Sequence, residues 1–376
     1  MASSYKTFFA DDIITTTTKL HESIPITGTI VSGTYSDSNI TTSSNGNFQT
    51  VYDYPYLSAS SNQLFDITVG YSANCPASGS ATSATVNKKK LNIYSQLAHM
   101  LVGHDATGSI YKFDKSGQPT SDDRKDHSLM FMSLSRLLVK DEIKKGSFSL
   151  QLNVTSGSTS TYTKTITITD ASGSTNYKTN SPVGEYGVLY LTSATSATTA
   201  SSINNKVGYV FYQAGIVGLS TNLFAVSGTL NPTASLPALT GNLDGVLDSS
   251  SYTGVFAVSG TNKTIADALV SGSIPSNADM LRSRIMNISL QNTTELNSSI
   301  YFCRVGNADF NYSSNPTYLS SSQIRVKTTN TDAPVSYFTT VGLYSPKNEL
   351  LAVAKLSQPL KKTPSDELLL KIRLDY

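Results

Sequence analysis

Four histidines, His21, His99, His104 and His127, are the first residues to examine for metal or acid–base chemistry. A helical metal site needs two ligands four residues apart, one turn along the same face. His99 and His104 are five apart with Gly103 between them, so they miss that spacing. Asp105, Asp122 and Asp123 lie in polar, loop-like sequence, and we read them as loop polarity. Asp53, Asp66 and Glu185 are the carboxylates that a paired-acid mechanism would recruit. Each sits in strand-rich sequence beside aromatic residues, which a chain with 21 tyrosines produces by composition alone. No G-x-S-x-G elbow, phosphate-binding loop or dinucleotide fingerprint occurs. Gly215 and Gly218 fall inside an apolar run, where glycine marks a bulge or close packing. The expectation is a protein that is not an enzyme, with no catalytic residues, no metal and no cofactor.

Cys75 and Cys303 are the only cysteines and do not make a disulfide framework. Cys303 lies in an alternating run and reads as a small buried strand residue; free thiols and a reducing folding compartment are expected. Asn153, Asn287, Asn292 and Asn311 each open an N-x-S/T triplet, as expected by chance in a chain so rich in Asn, Ser and Thr.

The elements that would position any site are strands. The last forty residues show this best: Tyr337 to Tyr344, Leu350 to Leu356 and Leu368 to Tyr376. In the last, Leu368, Leu370, Ile372, Leu374 and Tyr376 alternate with Leu369, Lys371, Arg373 and Asp375. A period of two sends one set to a buried face and the other to solvent. Further strands are expected at His21 to Tyr35, Phe48 to Leu57, Leu64 to Tyr71, Gly184 to Leu191 and Val207 to Leu219. Phe148 to Val154 and Thr161 to Thr169 form an expected hairpin. Leu91 to Val102 carries apolar residues at helical spacing and stops at Gly103. Lys140 to Gly146 reads as a tight helical turn. The basic run Lys88-Lys89-Lys90 opens the helix and reads as a solvated face. The fold class expected is mainly β: sandwich-like antiparallel sheets with one short helix near 91–102 and an irregular insertion. The expected division is an N-terminal β-rich domain over 1–190, a Ser/Thr/Gly-rich region over 191–279 and a C-terminal β domain over 280–376.

Charged residues make up 14% of the chain, against roughly 25% in ordinary globular proteins. Low charge leaves sheet edges poorly guarded against pairing with neighbours, which suits either a protein packed in an assembly or one covered by sugar. The net charge of +2 supplies no field for nucleic acid. No apolar run is long enough for a membrane span, and no signal peptide is visible at the start. Asn307 to Tyr318 carries turn chemistry around aromatic residues, so Phe310, Tyr312 and Tyr318 are the candidate loop or interface anchors.

Several long stretches resemble a family of virion structural proteins of tailed phages, especially contractile-tailed phages of marine bacteria. They include HESIPITGTIVSGTY from His21, KDEIKKGSFSL from Lys140 and VGYVFYQAGIVGL from Val207. The densest are TTELNSSIYFCRVGNADFNYSSNPTYLSSS from Thr293 and YFTTVGLYSPKNELLAVAKLSQPLKKTP from Tyr337. The likeness thins between Ser220 and Ser276. It implies a building block of the tail, baseplate or neck, folded in the host cytoplasm and carried in the virion. The partners implied are copies of itself and other virion proteins, and no catalytic residues are implied. An alternative is a tail-tip receptor-binding or fibre protein that recognises host surface glycans.

Overall fold

The computed structural model describes residues 5–27, 40–53, 62–75, 85–118, 125–155, 162–192, 206–221, 272–282, 285–313, 319–320, 323–324, 329 and 331–376. The protein is mainly β and antiparallel, with few and short helices. The described chain forms two compact units. One joins residues 1–20 to 295–376, and the other spans His21–Thr294. In the smaller unit the N-terminal strand and the C-terminal region come together across more than 270 residues of sequence. Most of the 191–279 region lies outside the described residues.

The larger unit is built on one long antiparallel sheet. Its strands are β2 (Ile40–Thr42), β3 (Gln49–Asp53), β4 (Asn62–Tyr71), β5 (Ser128–Leu134), β6 (Glu142–Ile143) and β7 (Ser149–Thr155). They continue with β8 (Tyr162–Thr169), β9 (Lys178–Ser181), β10 (Gly184–Thr192), β11 (Lys206–Phe211) and β12 (Ile216–Ser220). The N-terminal part of β13 (Ile285–Val305) pairs with β7, and the order then runs β8, β10, β11, β12, β5, β4, β3, β2. The expected hairpin at 148–169 is present as β7 and β8. The run 207–219 was expected to be one strand. It is instead the hairpin β11–β12, turned by Gly215 at φ +67, a conformation that L side chains rarely adopt.

Strand alternation places an apolar core on each face. Ile67 and Val69 of β4 share one face with Met130 and Met132 of β5 and with Val217 and Leu219 of β12. On the opposite face, Leu129 and Phe131 meet Tyr209, Phe211 and Tyr186. There α1 (Thr85–Leu101) covers them with Tyr94, Ala98 and Leu101. The helix begins six residues before the expected start, so Lys88 to Lys90 form part of its body. Gly70 permits its close approach: a Cβ there would stand 2.7 Å from the Tyr94 backbone nitrogen.

Three local expectations are corrected. Lys90 is fully buried, although Lys88 is exposed as expected. Residue 90 lies one turn before Tyr94 and so shares the covered face of α1. Lys140 to Gly146 is not helical. A four-residue helix, α2 (Arg136–Val139), ends at Lys140 with φ 57, and the chain then forms β6 before turning at Gly146. Finally, α3 (Ile274–Arg282) lies where no helix was read, and buries Ile274, Ala278 and Leu281 at spacings of four and three.

The smaller unit contains a 3-10 turn at Ala10–Asp12, the first part of β1 (Ile13–Thr27), the second part of β13, and β18 (Leu368–Asp375). It also holds the short pair β14 (Leu319–Ser320) and β15 (Gln323–Ile324), and a long hairpin of β16 (Ser336–Tyr344) and β17 (Leu350–Lys362). β18 pairs with β13 from Val305↔Leu368 to Ser298↔Asp375. Its alternation is the expected one, but only Ile372 is buried, while Leu368, Leu370 and Leu374 are half-exposed.

Candidate functional site

In the larger unit the densest collection of ionisable groups lies under α1. Asp114 and Lys125 are partners in an isolated β-bridge, which also brings Lys115 near Asp126. Two ion pairs result: Lys115 Nζ to Asp126 at 3.4 Å and Lys125 Nζ to Asp114 at 3.7 Å. All four side chains are almost wholly buried. Asp126 further accepts hydrogen bonds from the Tyr209 hydroxyl at 2.7 Å and the Ser220 hydroxyl at 2.9 Å. Tyr94 donates to the Asp126 backbone carbonyl at 2.6 Å. Burial, with the neighbouring carboxylate, pushes the Tyr209 and Tyr94 phenols above their ordinary value. A catalytic acid or base must reach its substrate. Here both carboxylates are almost wholly buried and paired with lysines, so the cluster acts as a structural knot that ties Asp114 and Asp126 to the sheet.

Asp170 works similarly. It is fully buried and accepts the backbone N–H groups of Gly146 at 2.8 Å and Phe148 at 2.9 Å, and the Tyr212 hydroxyl at 3.1 Å. Burial raises its pKa above the ordinary carboxylate value.

The residues singled out for chemistry do not converge. The His99 and His104 rings lie 5.3 Å apart, brought together because the helix ends between them. His127 contacts the Ser72 hydroxyl at 2.8 Å, and burial lowers its pKa. His21 meets Thr293. Asp105 caps its own turn through the N–H groups of Thr107 and Ser109. Asp66 accepts from Gln63, and Glu185 pairs with Lys145. The Asp53 side chain, Asp122 and Asp123 lie outside the described residues. Among the described residues no group of three or more His, Cys, Asp or Glu could hold a metal. No helix among them is long and apolar enough to cross a membrane. Neither Cys75 nor Cys303 is in a disulfide; the first is buried and the second half-buried.

The smaller unit has a different character. Among its described residues only Val305, Leu343 and Ile372 are buried apolar side chains. The others buried are polar: Asp12, Ser298, Ser299, Ser336 and Lys362. Lys362 is fully buried and donates to the Asn307 carbonyl at 3.0 Å, Asn311 Oδ1 at 2.8 Å and the Thr363 carbonyl at 2.7 Å. With Ser336 donating to the Phe310 carbonyl at 2.7 Å, it ties the 307–312 loop to the root of the hairpin. Sequence reading missed Lys362. A fully satisfied lysine leaves no signal when all its partners are carbonyl oxygens.

The three anchors are placed as follows. Phe310 has φ 54 and packs edge-on against Phe338 with ring centroids 6.2 Å apart. Its ring is 37% exposed, and Tyr312 is 58% exposed. Tyr318 lies outside the described residues. Most of the exposed large apolar side chains among the described residues belong to this unit. They include Phe9, Ile14, Tyr344, Leu351 and Leu369.

No family model, curated protein or solved structure matches this chain.

Proposed function

We propose that the protein is a structural component of a tailed-phage virion, a tail, baseplate or neck building block that acts through subunit–subunit interfaces. The observation that carries this reading is the smaller unit: buried polar groups, scarcely any apolar core, and exposed aromatic and aliphatic side chains. Hydrophobic burial drives association as it drives folding. Such a unit gains in a particle the burial that it lacks alone, and obligate interfaces reach about 2,000 Å² or more. The resemblance of its strands to phage structural proteins points the same way. On this reading the chain folds in the host cytoplasm and is incorporated there, with copies of itself and other virion proteins as partners. It performs no catalysis.

Proteomics of separated heads, tails and baseplates tests this. The polypeptide is expected in one of these fractions at a stoichiometry set by particle symmetry, and its absence from all of them refutes the assignment. The rival reading, glycan recognition at a tail tip, draws on the exposed Tyr312 ring beside a loop held rigid by Lys362. Binding of the isolated protein to host surface polysaccharide, lost in Tyr312→Ala, would favour it.

A further inference from the structure

We infer that the outer edge of β16 is a docking edge for a second copy of this chain, which adds its own β16 antiparallel to form a continuous four-stranded ribbon. The inference rests on the assembly reading above and names its partner and its contact.

The hairpin β16–β17 is a sheet of only two strands, and among the described residues β16 has no other backbone partner on its outer side. Two-stranded ribbons are marginal in water, and a third strand or a packed face is needed for stability. Both faces carry apolar side chains, and one also carries the exposed Thr340–Lys355 pair. Val341, Ala352 and Ala354 lie half-buried on one, while Gly342, Tyr344 and Val353 lie exposed on the other. The side chains of Tyr344 and Leu350 lean over Gly342.

The two edges of this ribbon differ in how they are guarded. Natural edges are blunted with lysine, proline and bulges. β17 has all three: the exposed Lys355 and Lys361, Pro359, and a register break opposite Phe338 to Thr340. Two other strands of this unit with a free edge are charged as well: β18 has Lys371, Arg373 and Asp375, and β1 has Lys19, while the uncharged β14 and β15 are only two residues each. β16 reads SYFTTVGLY, with no charge and no proline in nine residues. That choice selects the occupant. A charged partner strand would find no complement on β16, whereas β16 turned around a two-fold axis meets an identical uncharged strand with no like charges opposed. Nine residues paired antiparallel would form about eight to ten ladder hydrogen bonds, as many as the roughly ten direct bonds of an ordinary interface.

Thr340→Glu tests the edge. Thr340 is exposed and lies opposite Lys355 within the hairpin, so a glutamate there gains a cross-strand partner and supports the local fold. Across the two-fold it sets two carboxylates close together. The full-length protein is followed by analytical ultracentrifugation over a concentration series, and by amide hydrogen exchange. The wild type is expected to self-associate, with slowed exchange confined in this hairpin to β16. Thr340→Glu should weaken association at least tenfold, with an unchanged circular dichroism spectrum and melting temperature. Ser357→Glu, on the guarded strand, should leave association as it is. A wild-type oligomer indifferent to Thr340→Glu overturns the edge and leaves the assembly role standing. A wild type that is monomeric throughout, with β16 protected only on adding another virion protein, overturns the choice of a second copy. Absence from every virion fraction counts against the assembly role instead, whatever Thr340→Glu does.

Discussion

Removing the carboxylate of Asp126 should come close to unfolding the larger unit. In Asp126→Ala the Lys115 ammonium loses its counter-charge, and the hydroxyls of Tyr209 and Ser220 lose their acceptor. Breaking one side of a buried ion pair costs about 3–5 kcal/mol, and each orphaned buried hydroxyl adds about 1–3 kcal/mol. Allowing for the slight solvent access of Lys115, the total is about 5 kcal/mol or more, against a whole stability of about 5–15 kcal/mol. Asp126→Asn keeps one carbonyl acceptor but puts an NH2 donor in place of the other, so it loses the charge and one hydroxyl hydrogen bond and should cost less than Asp126→Ala. Glu22→Gln makes the same chemical change in the exposed pair with Lys140, where solvent screens the charges, and should leave stability almost unchanged. Urea denaturation followed by near-ultraviolet circular dichroism of the tyrosines measures all three. Pairing Asp126→Ala with Lys115→Met in a double-mutant cycle should give a coupling of about 1–3 kcal/mol. If Asp126→Ala lies within 1 kcal/mol of the wild type, the knot does not tie Asp126 to the sheet and the reasoning fails.

Stability should peak in mildly alkaline solution. Burial lowers the Lys90 pKa to about 8 from its ordinary 10.5. Between those values the unfolded chain holds the extra proton, so this group adds about 1.4 kcal/mol of stability per pH unit as pH rises. The buried phenols of Tyr94, Tyr186, Tyr209 and Tyr212 are all raised. Their contribution is complete below the ordinary value of 10 and is lost above it, at about 5 kcal/mol per pH unit for the four together. Melting temperature should therefore climb from pH 8 and collapse above 10; a monotonic fall from pH 8 would contradict it. Gly70→Ala should lower stability by about 1–3 kcal/mol, since its methyl meets the backbone of α1 rather than a side chain that can move. Without reductant, a thiol reagent should modify both Cys75 and Cys303 after denaturation, and only Cys303 quickly in the native protein.

Much of the β architecture was legible because it is written locally. The hairpin β7–β8 and the alternation of β18 depend on residues within a few positions of one another, and their patterns survive in the structure. The core of α1 was legible for the same reason. What escaped depends on distant partners. The Asp126 knot joins residues from the 102–127 connection, β11 and β12, and single aspartates and tyrosines carry no mark of that meeting. Lys362 was invisible because its partners are carbonyl oxygens of loops.

By itself the amino-acid sequence determined the periods: two for the strands, 3.6 for α1, and the low charge that runs through both units. Those follow from how side chains leave a backbone, and need no knowledge of what they meet. Only the tertiary structure decided how deep each strand would lie. β5 and β18 both alternate, yet β5 is buried on both faces while β18 buries a single residue. Depth is a property of what packs on top, and for β5 that cover includes α1 on one face and the apolar cluster on the other.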